Sequence, residues 1–453
     1  MSTEQSTRQF RGPALGPHDP GYDEARTVVM GGIDPRPDLI VRVADADDVA
    51  GVIELARQAG SELAVRSGGH SGAGHSTTDG GIVLDVRDLD SFEIDVPSRT
   101  AWAGAGLTAG RYTTAAAEHG LATGFGDTGS VGLGGLTLGG GVGLLSRKYG
   151  LTIDSLLAAE VVTADGELLR VDDRSHPDLF WAIRGGGGSF GVATRFQFRL
   201  HPVDDVVGGI LVLPATAEVV AGFVAAAEAA PDELTTIANV MTLPPVPFVP
   251  AEHHGSLVVM ALICFAGDPG AADRALAPFV DLAPPLANLV APMKYANIFL
   301  PEDPDYHPTA VSQTMFMKSV DLDTATTILD RLAASDATMR VTQLRVLGGA
   351  IARVAPAATA YAHRTSRIMV NVAAFYDGQD DRPAKADWVA DLARAIYQGD
   401  DGAYVNFLAQ DGQAGVRAAY PGQTGDRLER IKATYDPGNV FRRNQNIRPA
   451  TGP

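Results

Sequence analysis

With one cysteine, Cys264, in 453 residues, no internal disulfide can form and no cysteine-based metal site exists. That fits a reducing compartment, although a secreted protein can also do without disulfides. The opening stretch, MSTEQSTRQFRGPALGPHDPGY, has no apolar core of signal-peptide type, so a cytoplasmic location is the expectation. Apolar runs of membrane-spanning length are also missing. The segment GSLVVMALICFAG is too short to span and suits a buried strand. Positive charge is scarce: 36 Lys and Arg stand against 54 Asp and Glu, for a formal net charge of −18. Such a surface repels phosphate backbones, which argues against nucleic acid and anionic membranes as partners. No GxxxxGK[ST] occurs, which excludes a Walker-type nucleotide site.

What remains is ordinary for a globular chain, 45% apolar, and long enough to predict more than one core. The pattern predicts an α+β fold in three parts. Residues 1–204 read as mixed helix and strand. DVAGVIELARQAG is a helix with Asp47 or Asp48 as N-cap and a stop at Gly60. GGIVLDVRDL alternates as a strand, AEVVTADGELLRV is a hairpin turning at Asp165-Gly166, HPDLFWAIRGGGG is a short helix, and RFQFRLHPV is a strand. Over 205–415, strands at Ser256–Ala266, Met339–Leu347 and Arg367–Tyr376 alternate with helices such as AEVVAGFVAAAEAA and LDTATTILDRLAA. That spacing implies a large antiparallel sheet covered by helices. Residues 416–453 are a helix stopped before Pro437 and an Asn/Gln-rich tail.

Glycine is concentrated in three places. Gly68–Gly74 carries four glycines and His70; Gly126–Gly143 carries nine; Gly185–Gly191 is the third. Gly186, Gly188 and Gly191 spell GxGxxG, but they follow a helix and precede a strand, the reverse of what a Rossmann fingerprint requires. Runs of bare backbone N–H groups bind anions, and two such loops together could cradle a pyrophosphate. His70 and His75 lie five residues apart, yet no nearby carboxylate or third histidine completes a metal site.

The strings VRSGGHSGAGHSTTDGGIVLDV, VGLGGLTLGGGVGLLSRKYGLTIDSLLAAEVVTADGE, HPDLFWAIRGGGGSFGVAT and YDPGNVFRRNQNIRP, in that order, resemble the berberine-bridge-enzyme-like branch of the vanillyl-alcohol oxidase flavoproteins. The likeness covers Tyr22 to about His201 and the last forty residues. It implies a two-part FAD-binding domain of the PCMH type over 1–204, a substrate-binding domain over 205–415, and a segment, 416–453, that returns to the first. It implies one covalent bond from His70 to FAD. Family members with a second, cysteinyl link place that cysteine where Thr128 stands here, so a single link is expected. The cofactor-binding residues it implies are Arg66, Ser67, Gly68, Gly69, His70, Ser71, Gly74 and His75 in the first loop. In the second they are Asp127, Thr128, Ser130, Val131, Gly132, Gly135, Gly140, Gly141 and Gly143. Val162 and the tail residues Asn444 and Asn446 complete the set.

AYVNFL resembles the family's Tyr-x-Asn motif, which makes Tyr404 the expected catalytic base. By period-two alternation Gln343 and Arg345 share one strand face, with Asn371 a weaker candidate. Arg345 is expected to depress the Tyr404 pKa. Val142 stands where sugar-oxidising members often carry an aromatic residue. The implied activity is oxidation of a CH–OH or CH–NH group of a small molecule, with O2 as acceptor. The alternatives are a dehydrogenase using another acceptor and a non-catalytic flavoprotein that binds an aromatic drug. Nothing in the pattern fixes an oligomeric state.

Overall fold

A computed structural model describes residues 10–203 and 205–450. The first nine residues, part of the stretch behind the location expectation, and the boundary residue Asp204 lie outside the described residues. Strands β1 (Ala14–Leu15), β2 (Leu39–Arg42), β3 (Leu63–Arg66) and β4 (Ile82–Asp85) form a sheet in the order β1-β2-β4-β3. Its three longer strands are parallel. All four β4 residues are buried, so GGIVLDVRDL is not the half-exposed strand that alternation implies; a parallel strand covered on both faces reads as an apolar run. The helix Ala46–Ala59 is capped by Asp45, whose side chain accepts the Asp48 N–H, rather than by Asp47 or Asp48. Asp48 instead accepts the N–H groups of Arg11, Gly12 and Ala44. The stop is Gly60 as expected, with φ of +64°.

The chain continues through β5 (Phe92–Asp95), β6 (Thr100–Gly104), β7 (Leu121–Ala122), β8 (Leu156–Val162), β9 (Leu168–Asp172), β10 (Val192–Arg199) and β11 (His201–Pro202). β7 pairs with β11; the others make an antiparallel sheet in the order β5-β6-β10-β8-β9. β8 and β9 are the expected hairpin, turned at Gly166 with φ of +87°.

The third sheet uses β12 (Asp205–Pro214), β13 (Leu234–Thr242), β14 (Leu257–Phe265), β15 (Ala287–Asn288), β16 (Ala291–Lys294), β17 (Ala310–Met317), β18 (Met339–Val346) and β19 (Ile368–Phe375). Its order is β15-β12-β14-β13-β18-β19-β17, with β16 also on β12. The helices Ala217–Ala229, Leu322–Ala334 and Arg382–Ala395 pack on one face through Phe223, Ile328, Leu332 and Leu392, against Leu211, Leu344, Val370 and Val372. Burying a side chain such as Phe223 contributes roughly 1.5–3 kcal/mol, and the set anchors the sheet. Alternation then turns Gln343, Arg345 and Asn371 to the opposite face. Among the described residues no helix is long and apolar enough to cross a membrane.

The tail is pinned from inside. Buried Lys432, on the helix Gln423–Tyr435, donates to Asp436 at 2.6 Å, to the Ser189 carbonyl at 2.6 Å and to the Phe441 carbonyl at 2.9 Å. These bonds lead residues 441–446 back over the third glycine run.

Candidate functional site

The first two glycine loops meet backbone to backbone. A Cβ on Gly68 would lie 2.4 Å from the Gly132 nitrogen, and one on Gly132 would lie 2.0 Å from Ser67 Oγ. Only glycine allows that approach. Beneath them, Arg66 is fully buried in an ion pair with Asp85 at 2.6 Å. It therefore tethers the loop from below, a correction to its expected place on the cofactor. Losing one partner of such a pair costs about 3–5 kcal/mol.

The loops open onto a cavity of about 1280 Å³. Ser67, Gly68, Gly69, His70, Ser71, Gly74 and His75 line it from the first loop; Asp127, Thr128, Val131, Gly132, Gly135 and Gly141 line it from the second. Gln343, Arg345 and Asn371 line it from β18 and β19, with Tyr404 and the tail residue Asn444. Five further expected residues besides Arg66 do not line it. Gly143 is packed against the Phe125 carbonyl, and Gly140 sits between Tyr361 and Tyr404. Val162 is a core residue of β8 paired with Val192. The tail is not a regular strand, so Asn444 and Gln445 face the cavity while Asn446 does not. Ser130 stands behind His70, its Oγ 2.9 Å from His70 Nε2. Burial lowers the His70 pKa, with the Glu302 charge opposing.

Three features fit a large flavin dinucleotide. Cβ atoms on Gly135 and Gly188 would meet nothing within 4 Å, so bare backbone faces the open space. Among the described residues His75 Nε2, buried at the cavity wall, has no protein partner, and burial followed by the charge of Arg443 lowers that ring's pKa to about 4. Arg443 also lines the cavity, so the cradle has a cation that glycine-loop reasoning leaves out.

At the other end, Tyr404 Oη accepts the Gly141 N–H at 3.0 Å and the Asn406 Nδ2–H at 3.0 Å. Asn406 comes so close that a Cβ on Gly139 would be 2.0 Å from its Oδ1. Arg345 donates to Gln343 Oε1 at 2.8 Å and pairs with Asp127 at 2.9 Å; Gln343 donates to Asn239 at 2.9 Å. The Arg345 charge does act to lower the Tyr404 pKa, as expected, yet the net shift is upward. Burial raises the pKa, and the two N–H donors and the Arg345 charge offset only part of that. Asn371 Oδ1, beside this row, is buried with no protein partner among the described residues.

Arg443, Asn239 and Glu302 escaped the sequence reading because their partners are distant in the chain. For Arg443 the signal was the FRRNQNI string itself; Asn239 and Glu302 stand in no motif. The tail gives a prediction here. Asn444 accepts from Ser189 Oγ at 3.1 Å and donates to the Gly188 carbonyl at 3.2 Å. Truncation before Asn444 should therefore lower the flavin content per protein, measured by absorbance; full loading of the truncated chain would make the tail ordinary surface.

A family model described as FAD binding domain matches residues 37–172, and one described as berberine and berberine like matches residues 403–448. The chain is 31% identical to (R)-6-hydroxynicotine oxidase of Paenarthrobacter nicotinovorans over 463 residues, covering 99% of each. It is 30% identical to an uncharacterized FAD-linked oxidoreductase, YgaK, of Bacillus subtilis over 446 residues, covering 95% of each. Among solved structures, 6-hydroxy-D-nicotine oxidase from Arthrobacter nicotinovorans superposes with a TM-score of 0.87 at 28% identity, over 98% of this chain and 99% of that one. A chitooligosaccharide oxidase shares the fold with a TM-score of 0.84 at 21% identity, over 99% of both chains.

Proposed function

The chain belongs to the berberine-like FAD-linked oxidoreductases, and from that premise we propose that it is an oxidase of small organic molecules whose FAD is held by one bond at His70. The support is a single cavity that brings His70 and the glycine loops together with Tyr404, Gln343 and Arg345. Bound FAD supplies the hydride acceptor; the protein supplies position and electrostatics. The loop N–H groups, His75 and Arg443 hold the pyrophosphate. Gln343 and Asn371 orient the CH–OH or CH–NH group, and Tyr404 Oη takes the hydroxyl or amine proton. The electrons pass to O2 and leave as H2O2. In this reading residues 1–204 bind FAD, 205–415 bind substrate and 416–453 close the cofactor site. Cys264 is buried in β14 and does not line the cavity, and Thr128 forms no thioether, which supports a single link. The scarcity of cysteine supports a cytoplasmic placement.

The test is a screen of alcohols, amines and sugars read by H2O2 release. A flavin that bleaches anaerobically but yields no H2O2 in air identifies a dehydrogenase. One that no compound bleaches identifies a flavoprotein that sequesters its ligand.

Oxygen access yields a further prediction. The family resemblance assigns the approach to the flavin to the residue three positions after Thr128. Val131 is half-buried and lines the cavity. Val131→Ile should slow reoxidation by O2 while leaving anaerobic reduction nearly unchanged, both measured by stopped flow. Equal reoxidation rates in the two proteins would place the oxygen path elsewhere.

A further inference from the structure

We propose that Glu302 and Ser130 form a proton relay behind His70 that fixes the ring's tautomer and drives its attachment to FAD; this rests on the covalent link proposed above. Glu302 lies 172 residues from Ser130 in the chain, in the stretch between β16 and β17. Its Oε1 accepts the Ser130 N–H at 3.0 Å, and its Oε2 accepts the Ser130 hydroxyl. A carboxylate only accepts, so the serine proton is committed to Glu302. Ser130 Oγ, 2.9 Å from His70 Nε2, is then left to accept. Nε2 must carry the ring's proton, and Nδ1 keeps its lone pair. His70 lines the cavity, whereas neither Ser130 nor Glu302 does, so the relay lies off the cavity wall.

That arrangement suits attack by Nδ1. A C–N bond forms between Nδ1 and the 8α-carbon of FAD, and one C–H bond of that methyl group breaks with loss of its proton. The two electrons reduce the flavin, and O2 removes them as H2O2. The alkylated ring sheds its Nε2 proton through Ser130 Oγ to Glu302. Ser130 and Glu302 are positioning residues, since they act through His70.

Full-length protein from riboflavin-starved cells, mixed with FAD in air, gives the test. Acid-stable flavin is followed over time, with total bound flavin measured separately. Glu302→Gln and Ser130→Ala should each slow attachment by about 10²-fold with unchanged non-covalent loading, and Glu302→Asp should recover part of the rate. Nitrogen-15 spectra of the histidine rings should show His70 as the Nε2–H tautomer in the native sequence and as a mixture in both variants. Attachment at the native rate in Glu302→Gln and Ser130→Ala, with an unaltered tautomer, would overturn the relay. A native protein that never gains acid-stable flavin would overturn the covalent link instead, and the tautomer spectra would still judge the hydrogen-bond chain.

Discussion

Tyr404→Phe should slow anaerobic flavin reduction by about 10²–10⁴-fold, the usual contribution of a positioned proton acceptor, while leaving FAD content unchanged. Tyr404 Oη already accepts two N–H bonds, from Gly141 and Asn406, and both favour the phenolate. Burial opposes them and wins, so the pKa lies above the ordinary tyrosine value near 10. The sign follows directly. The reactive phenolate is a small fraction at neutral pH and grows as pH rises, so the native reduction rate should climb from pH 7 to 10 without a plateau. Tyr404→Phe should be flat over that range. Asp127→Asn offers a check, because Asp127 partly neutralises Arg345 at 2.9 Å. With that carboxylate gone the cation favours phenolate more strongly, and the rising limb should move to lower pH. Equal reduction rates for native protein and Tyr404→Phe would remove Tyr404 from the chemistry.

The second large effect is all-or-none. Native protein precipitated in acid should stay yellow, and the tryptic peptide 67–87, which contains His70, should carry the mass of FAD. His70→Ala should still bind FAD through the glycine loops, release all of it on acid treatment, and show a lower reduction potential, because the link withdraws electron density from the ring. Free FAD in the supernatant of the native protein would contradict the attachment.

Part of this architecture is legible along the chain because it is local. The hairpin at Asp165-Gly166, the Gly60 stop and three of the eight strands of the large sheet, β14, β18 and β19, rest on turn chemistry and local apolar patterns. The shared face of Gln343 and Arg345 follows from period-two alternation. What the sequence hides is partnership. Nothing near position 66 says that Arg66 spends its charge on Asp85, or near 345 that Arg345 spends part of its charge on Asp127. Glycine content is equally ambiguous. Gly135 is bare to leave space for a ligand, whereas Gly143 is bare because the Phe125 carbonyl occupies the place of a side chain. Val162 fails because its side chain in β8 is turned into the core, and Asn446 because the tail is not a regular strand: position in a motif does not determine which way a residue faces.

The oxidase assignment is most directly tested by the fate of the reduced flavin. Protein reduced anaerobically by a substrate from the screen should be mixed with air-saturated buffer and followed by flavin absorbance and peroxide yield. Reoxidation within seconds, with one H2O2 released per flavin, is the expected result. A reduced flavin that persists for many minutes in air would contradict it and identify a dehydrogenase that delivers its electrons to another acceptor.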